Sequence, residues 1–127
     1  MTYLDALLGK RIRAAYTTPD KTLIVFDCGD SKLAYYTDGE CCSESWIEHI
    51  EGTEAIRDAT VNAIEERDDW VDGSDDRDDC VTVYATAIRT DKGVCVIEYR
   101  NASNGYYSGS LEPTMDHSAD LEITEDF

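Results

Sequence analysis

Ser103, Asn104, Tyr106, Tyr107 and Ser108 place hydroxyl, amide and phenol groups in six consecutive residues around Gly105. Arg89 and Arg100 stand in the segments that lead to them, and Arg11 and Arg13 lie near the start of the chain. These group types match what a nucleotide needs. A pyrophosphate takes Arg, Lys or backbone N–H donors. A base takes an aromatic or apolar plate, worth about 1–3 kcal/mol when it stacks. Riboses take Ser, Asn or Thr partners. Together the residues named supply all three. Each arginine also has an ordinary explanation, as a surface charge paired with one of many carboxylates.

Other chemistries find less material. Cys41, Cys42 and His49 lack the second ligand pair of a zinc site. Asp72, Asp75, Asp76, Asp78 and Asp79 resemble a calcium loop in density only, since Gly73 falls too early and no Glu closes the loop. No Ser-His-Asp or Cys-His signature is present, and two histidines give little for general acid–base work. Neither an enzyme, a metal nor a cofactor is expected.

The polar cluster needs a turn to hold it. Asn104-Gly105 is a strong hairpin signal, because both residues tolerate positive φ. Val94–Arg100 and Tyr106–Leu111 read as its strands, rich in the β-branched and aromatic residues that suit a pleated surface. Cys80–Thr90 and Val94–Arg100 form a second hairpin around Asp91-Lys92-Gly93. Upstream, Thr2–Leu8 reads as one helical turn, capped by Thr2 and stopped by Gly9, with Tyr3, Leu4, Leu7 and Leu8 on its apolar face. Arg11–Thr18, Thr22–Asp27 and Lys32–Thr37 read as an antiparallel meander, with Ile12, Ala14 and Tyr16 on one face of its first strand. Ser45 and Glu48 have capping-box spacing, which predicts a short helix burying Trp46, Ile47 and Ile50. Thr53 caps a further turn through Ala59. Thr60–Glu66 reads as a short strand, although continued helix fits the same residues. Arg67–Asp79 holds seven acidic residues and no period, and reads as an exposed loop. Pro113–Phe127 reads as an acidic tail whose end, LEITEDF, can serve as an extra strand or a docking segment in an oligomer. The expected architecture is α+β: a single domain over residues 1–112, an antiparallel sheet of about six strands with one or two short helices on one face, and a tail over 113–127.

The chain has 127 residues and a formal charge of −17, which opposes nucleic-acid binding through a basic patch. Residues 10–38 and 81–110 hold eight basic and six acidic residues, a balance of +2, while the remainder carries −19. The acidic excess is therefore peripheral, and reads as a solubilising surface or as adaptation to a high-salt host. Short apolar runs predict neither a membrane span nor a secretory signal, so a cytosolic protein is expected. Five cysteines are an odd number and fit reduced thiols better than a disulfide framework. Cys28 and Cys95 fall in strand patterns and read as small hydrophobes; Cys41 and Cys42 read as packed beneath the following helix.

Several blocks occur in a telling order: GKRI from Gly9, TLIVF after the Pro19-Asp20-Lys21 turn, CCSESWI from Cys41, and SNGYYS from Ser103 after a strand and the Lys92-Gly93 turn. From about Leu7 to about Leu111 the chain resembles the phage anti-Thoeris proteins that act as sponges for cyclic ADP-ribose signals. The resemblance implies a non-enzymatic protein in the host-cell cytosol that sequesters a cyclic ADP-ribose-type nucleotide, with cyclic oligonucleotides as further candidate ligands. It also implies a homo-oligomer, a dimer or larger, with pockets at subunit interfaces, and neither duplex nucleic acid nor membrane as a partner. In that family an aromatic just after the KG turn stacks on ligand. Here the position is Val94, so another ring such as Tyr84 or Tyr99 replaces it, or affinity and ligand choice differ. Two further functions fit parts of the chain: an acidic mimic of DNA that blocks a host defence protein, and a hydrolase of the same messenger.

Overall fold

The computed structural model describes residues 3–39, 44–74, 80–103 and 109–127. Among the described residues, ten strands form two antiparallel sheets of five. One sheet has the order β1 (Arg11–Ile12), β6 (Ala59–Ser74), β7 (Cys80–Thr90), β8 (Gly93–Ser103), β5 (Glu44–Glu51). The other runs β10 (Leu121–Glu122), β2 (Ala14–Thr17), β3 (Leu23–Asp27), β4 (Lys32–Gly39), β9 (Gly109–Thr114). Two 3-10 turns, Tyr3–Leu7 and Thr53–Ile56, are the helical parts. The antiparallel framework agrees with the sequence reading. It is divided over two sheets, however, where one sheet of about six strands was expected.

Period-2 alternation explains the layering. Ile24 and Phe26 of β3 and Tyr35 of β4 point to one side, and meet Ile47, Ile50, Ile88, Ile97 and Tyr99 of the other sheet in one buried cluster. Leu4 and Leu7 of the first 3-10 turn join it, whereas Tyr3 and Leu8 stay exposed. Cys95 lies in this core, where burial pushes its thiol up to about 12. The opposite side of β3, Leu23 and Val25, is also covered, by Ala34 and Ala119.

Five sequence expectations change, each for a physical reason. The strand expected over Arg11–Thr18 breaks at Arg13, so β1 joins one sheet and β2 the other. The break shifts the alternation: Ile12, Ala15 and Thr17 are buried, not Ala14 and Tyr16. The helix expected at Ser45–Ile50 is strand β5. A register shift between Ile47 and His49 turns both Ile47 and Ile50 inward, and a bulge of this kind imitates helical spacing. The hairpin expected at Asn104-Gly105 does not pair its two strands, because β8 pairs with β5 and β7 while β9 pairs with β4. The chain instead crosses between sheets from Ser103 to Gly109; residues 104–108 lie outside the described residues. The loop expected from Arg67 is strand as far as Ser74, paired to β7 through two further register shifts; 75–79 lie outside the described residues, as do Cys41 and Cys42. Finally, the acidic tail is docked. Pro113 and Thr114 belong to β9, β10 pairs with β2, and Phe127 exchanges backbone hydrogen bonds with Ile50 at 2.9 and 3.1 Å. LEITEDF is thus an extra strand and strap within its own chain.

Candidate functional site: a recess beside Arg89 and Val94

With Ile88, Ile97 and Tyr99 facing the core, their neighbours in β7 and β8 face outward. The register sets these outward residues in rows across the sheet. Arg67, Ala85, Glu98 and His49 form one row, and Glu65, Ala87, Val96 and Glu51 the next. Ala63, Arg89 and Val94 form a third. Ala85 and Ala87 are too small to fill their places, so longer neighbours stand above them as walls.

A recess of about 770 Å³ lies at the turn end of this face. Val94, Val96 and Gly52 line its base, and Arg67, Arg89 and His49 its cationic and imidazole side. Arg89 Nε donates to Glu65 Oε1 at 2.8 Å. That bond holds the Glu65 carboxyl below its usual range and raises the Arg89 guanidinium. Both side chains are about half exposed, and an exposed pair of this kind exchanges partners at little cost.

The C-terminal strap closes the other side with Asp126 and Phe127. The Lys21 ammonium lies 4.3 Å from the centre of the Phe127 ring. The Asp126 carboxylate accepts from the Thr53 backbone N–H and hydroxyl, each at 2.9 Å. Hydrogen bonds from the Thr53 and Gly52 backbone N–H groups, then from the Thr53 hydroxyl, hold its carboxyl below the usual aspartate range. A lowered folded-state value stabilises the docked strap above about 3.8 and is lost as pH falls through the lowered value. The Thr53 amide proton resonance should therefore titrate with a midpoint below 3.8, and Asp126→Asn should flatten that curve. A midpoint at or above 3.8 would show that Asp126 does not hold the strap.

The candidate residues chosen from sequence divide into groups. Arg89 and Val94 share this recess. Arg100 is on the same face, further along β8, paired with Glu98 at 2.9 Å. Arg11 and Arg13 line a different recess. Ser103 pairs with Cys80 at the far end of the β7–β8 ladder from Val94; nine residues of strand span about 30 Å. Asn104, Tyr106, Tyr107 and Ser108 lie outside the described residues. Tyr84 and Tyr99 cannot replace the ring missing at Val94. They pack with the core on the opposite face and stack on each other, centres 5.1 Å apart. Among the described residues, Phe127 supplies the phenyl ring that shares this recess with Val94.

Sequence reading missed Arg67, His49 and Phe127. Arg67 was hidden by its acidic neighbours, and His49 by the helical spacing of β5. Phe127 had a signal: Leu121, Ile123 and Phe127 are the large apolar residues of an otherwise polar, acidic end.

Two antiparallel sheets with an open, arginine-lined recess of small-ligand size define a β-sheet protein. The chain belongs to the family described as a domain of unknown function (DUF7448), whose profile matches residues 5–112. No curated protein and no solved structure matches it. Phe127 lies beyond the matched region. No helix among the described residues is long and apolar enough to cross a membrane.

Proposed function

We propose that this protein binds a cyclic ADP-ribose-type nucleotide messenger in the host cytosol and holds it without turning it over, so blocking a host antiviral signalling system. The observation that carries this reading is the meeting of two guanidinium groups, Arg67 and Arg89, with the Phe127 ring and Val94 in one recess. The guanidinium groups suit a pyrophosphate, and the ring suits a base. The order of the GKRI, TLIVF, CCSESWI and SNGYYS blocks supports the same reading.

This reading also requires a second copy of the chain. Val94 and Ser103 stand about 30 Å apart along one strand, and the SNGYYS block follows directly on Val94's strand at the Ser103 end. If both ends of β8 contribute to one ligand site, one of them comes from another protomer. A homo-oligomer with shared sites meets that requirement.

Calorimetry with cyclic ADP-ribose isomers tests the proposal. Binding is expected, and heat denaturation of the complex should return the input nucleotide intact by chromatography. A product peak would make the protein a hydrolase. Silence across the isomers and across cyclic oligonucleotides would end the reading.

A further inference from the structure

Arg11, Arg13, Arg57 and Lys92 are four of the eleven basic residues in this chain. They come from β1, the β1–β2 break, the end of the second 3-10 turn and the β7–β8 turn. The fold brings all four to one open recess of about 930 Å³. Three carboxylates, Glu54, Asp58 and Glu122, share it, which leaves one net positive charge in a protein of −17. It shares no residue with the Arg89 recess; the second 3-10 turn stands between them, with Gly52 lining one and Glu54 the other.

The cationic groups are held by local structure. Arg11 reaches Asp58 through Nε and a terminal nitrogen, each at 3.1 Å. Lys92 Nζ donates to the Arg57 carbonyl at 2.9 Å. The Arg13 backbone bridges both sheets, its N–H donating to Asp27 at 2.8 Å and its carbonyl accepting from Asp58 at 3.2 Å. Its guanidinium passes over Gly29, where an added Cβ would lie 2.9 Å from Nε. Among the described residues, neither Arg13 nor Arg57 forms an ion pair. Arg11 has Asp58, but among the described residues Arg13, Arg57 and Lys92 have no carboxylate within ion-pair distance, so their mutual repulsion falls when a further anion joins them. In a chain so rich in carboxylates, two unpaired guanidinium groups facing one recess point to an anionic ligand.

We infer that this recess is a second ligand site, specific for a phosphate-rich anion and blind to any attached base. Forked guanidinium donors match phosphate oxygens in geometry. Among the described residues, no aromatic or large apolar side chain lines the recess, so none of them stacks on a base. A diphosphate group is the chemistry that fits, whether free as inorganic pyrophosphate or carried by a nucleoside diphosphate. On binding, the ligand displaces Asp58 from Arg11 and takes up Arg13 and Arg57.

Calorimetry of the full chain with inorganic pyrophosphate and with ADP, at low ionic strength, tests this. The two ligands should bind with affinities within a few-fold of each other, and both should weaken steeply with added salt. Arg57→Gln with Lys92→Gln should weaken both at least ten-fold at an unchanged melting temperature, and adding Arg13→Gln should weaken them further. Phe127→Leu should leave pyrophosphate binding as it was, because that ring belongs to the other recess. No heat from pyrophosphate at millimolar concentration would overturn the inference. So would unchanged affinity in the triple variant, a large preference for ADP, or loss of pyrophosphate binding in Phe127→Leu. The ADP comparison is made in the Phe127→Leu background, so a base stacked in the other recess does not enter it, and the cyclic nucleotide is assayed separately on the same variants.

Discussion

Gly52→Ala is expected to lower stability by about 2–5 kcal/mol and the melting temperature by about 10 °C. Gly52 has φ +79°, and a Cβ there would fall on the Val94 carbonyl oxygen. The left-handed conformation costs an L-residue about 1–2 kcal/mol. Forcing a methyl group against backbone adds typically about 1–3 kcal/mol, because a strand carbonyl cannot rotate away as a side chain can. For a domain of this size, 1 kcal/mol corresponds to a few degrees in Tm. Gly9→Ala is the control. Its φ is +78° and nothing lies within 4 Å of its Cβ, so only the conformational part applies, reduced by the lower entropy of the unfolded chain. Thermal unfolding followed by circular dichroism separates the two. Equal shifts for Gly9→Ala and Gly52→Ala would mean that the close approach to Val94 carries no cost.

Phe127→Leu is expected to weaken messenger binding roughly five- to a hundred-fold while the melting temperature moves little. Leucine keeps the apolar contact that Phe127 makes with the core cluster and the backbone pairing with Ile50. It removes the π-face. A base stacked on a ring gains about 1–3 kcal/mol, which sets the fold-change through the binding constant. Val94→Phe in the same background should restore much of the loss, by putting a ring into the recess from the β8 side. Titration calorimetry on the wild type, the single variant and the double variant reads all three. Wild-type affinity in Phe127→Leu would place the base elsewhere.

How much of this was legible in the sequence depended on where period and partner agreed. The β2–β3–β4 meander and the β7–β8 hairpin showed themselves because alternation, turn residues and short loops all pointed the same way. β5 did not, because the bulge between Ile47 and His49 gives Ile47 and Ile50 the spacing of a helix face. The Thr60–Glu66 strand was legible and lies within β6, but its continuation past Arg67 and the partner of β9 were not. Long-range pairing leaves no local mark, so the acidic stretch from Arg67 to Ser74 looked like loop, and Asn104-Gly105 looked like a hairpin although β9 belongs to the other sheet. Arg89 and Val94 were found together because they flank one turn. Arg67, His49 and Phe127 come to them from separate strands and from the strap, and Arg57 and Lys92 reach Arg11 and Arg13 in the same long-range way.

The strap has a consequence for how the protein is made. The Ile123 N–H donates to the Ala15 carbonyl at 2.8 Å, and β10 is the outer neighbour of β2. These partners lie almost the full length of the chain apart. During synthesis β2, β3 and β4 leave the ribosome early, and β2 then presents an unpaired edge until Leu121–Glu122 emerges. Such an edge recruits strands from other chains, and pairing over so long a separation is slow. Between β4 and the strap, the ribosome delivers the seven acidic residues of 67–79. Charge repulsion between nascent chains therefore protects the open edge during the interval in which it has no partner of its own.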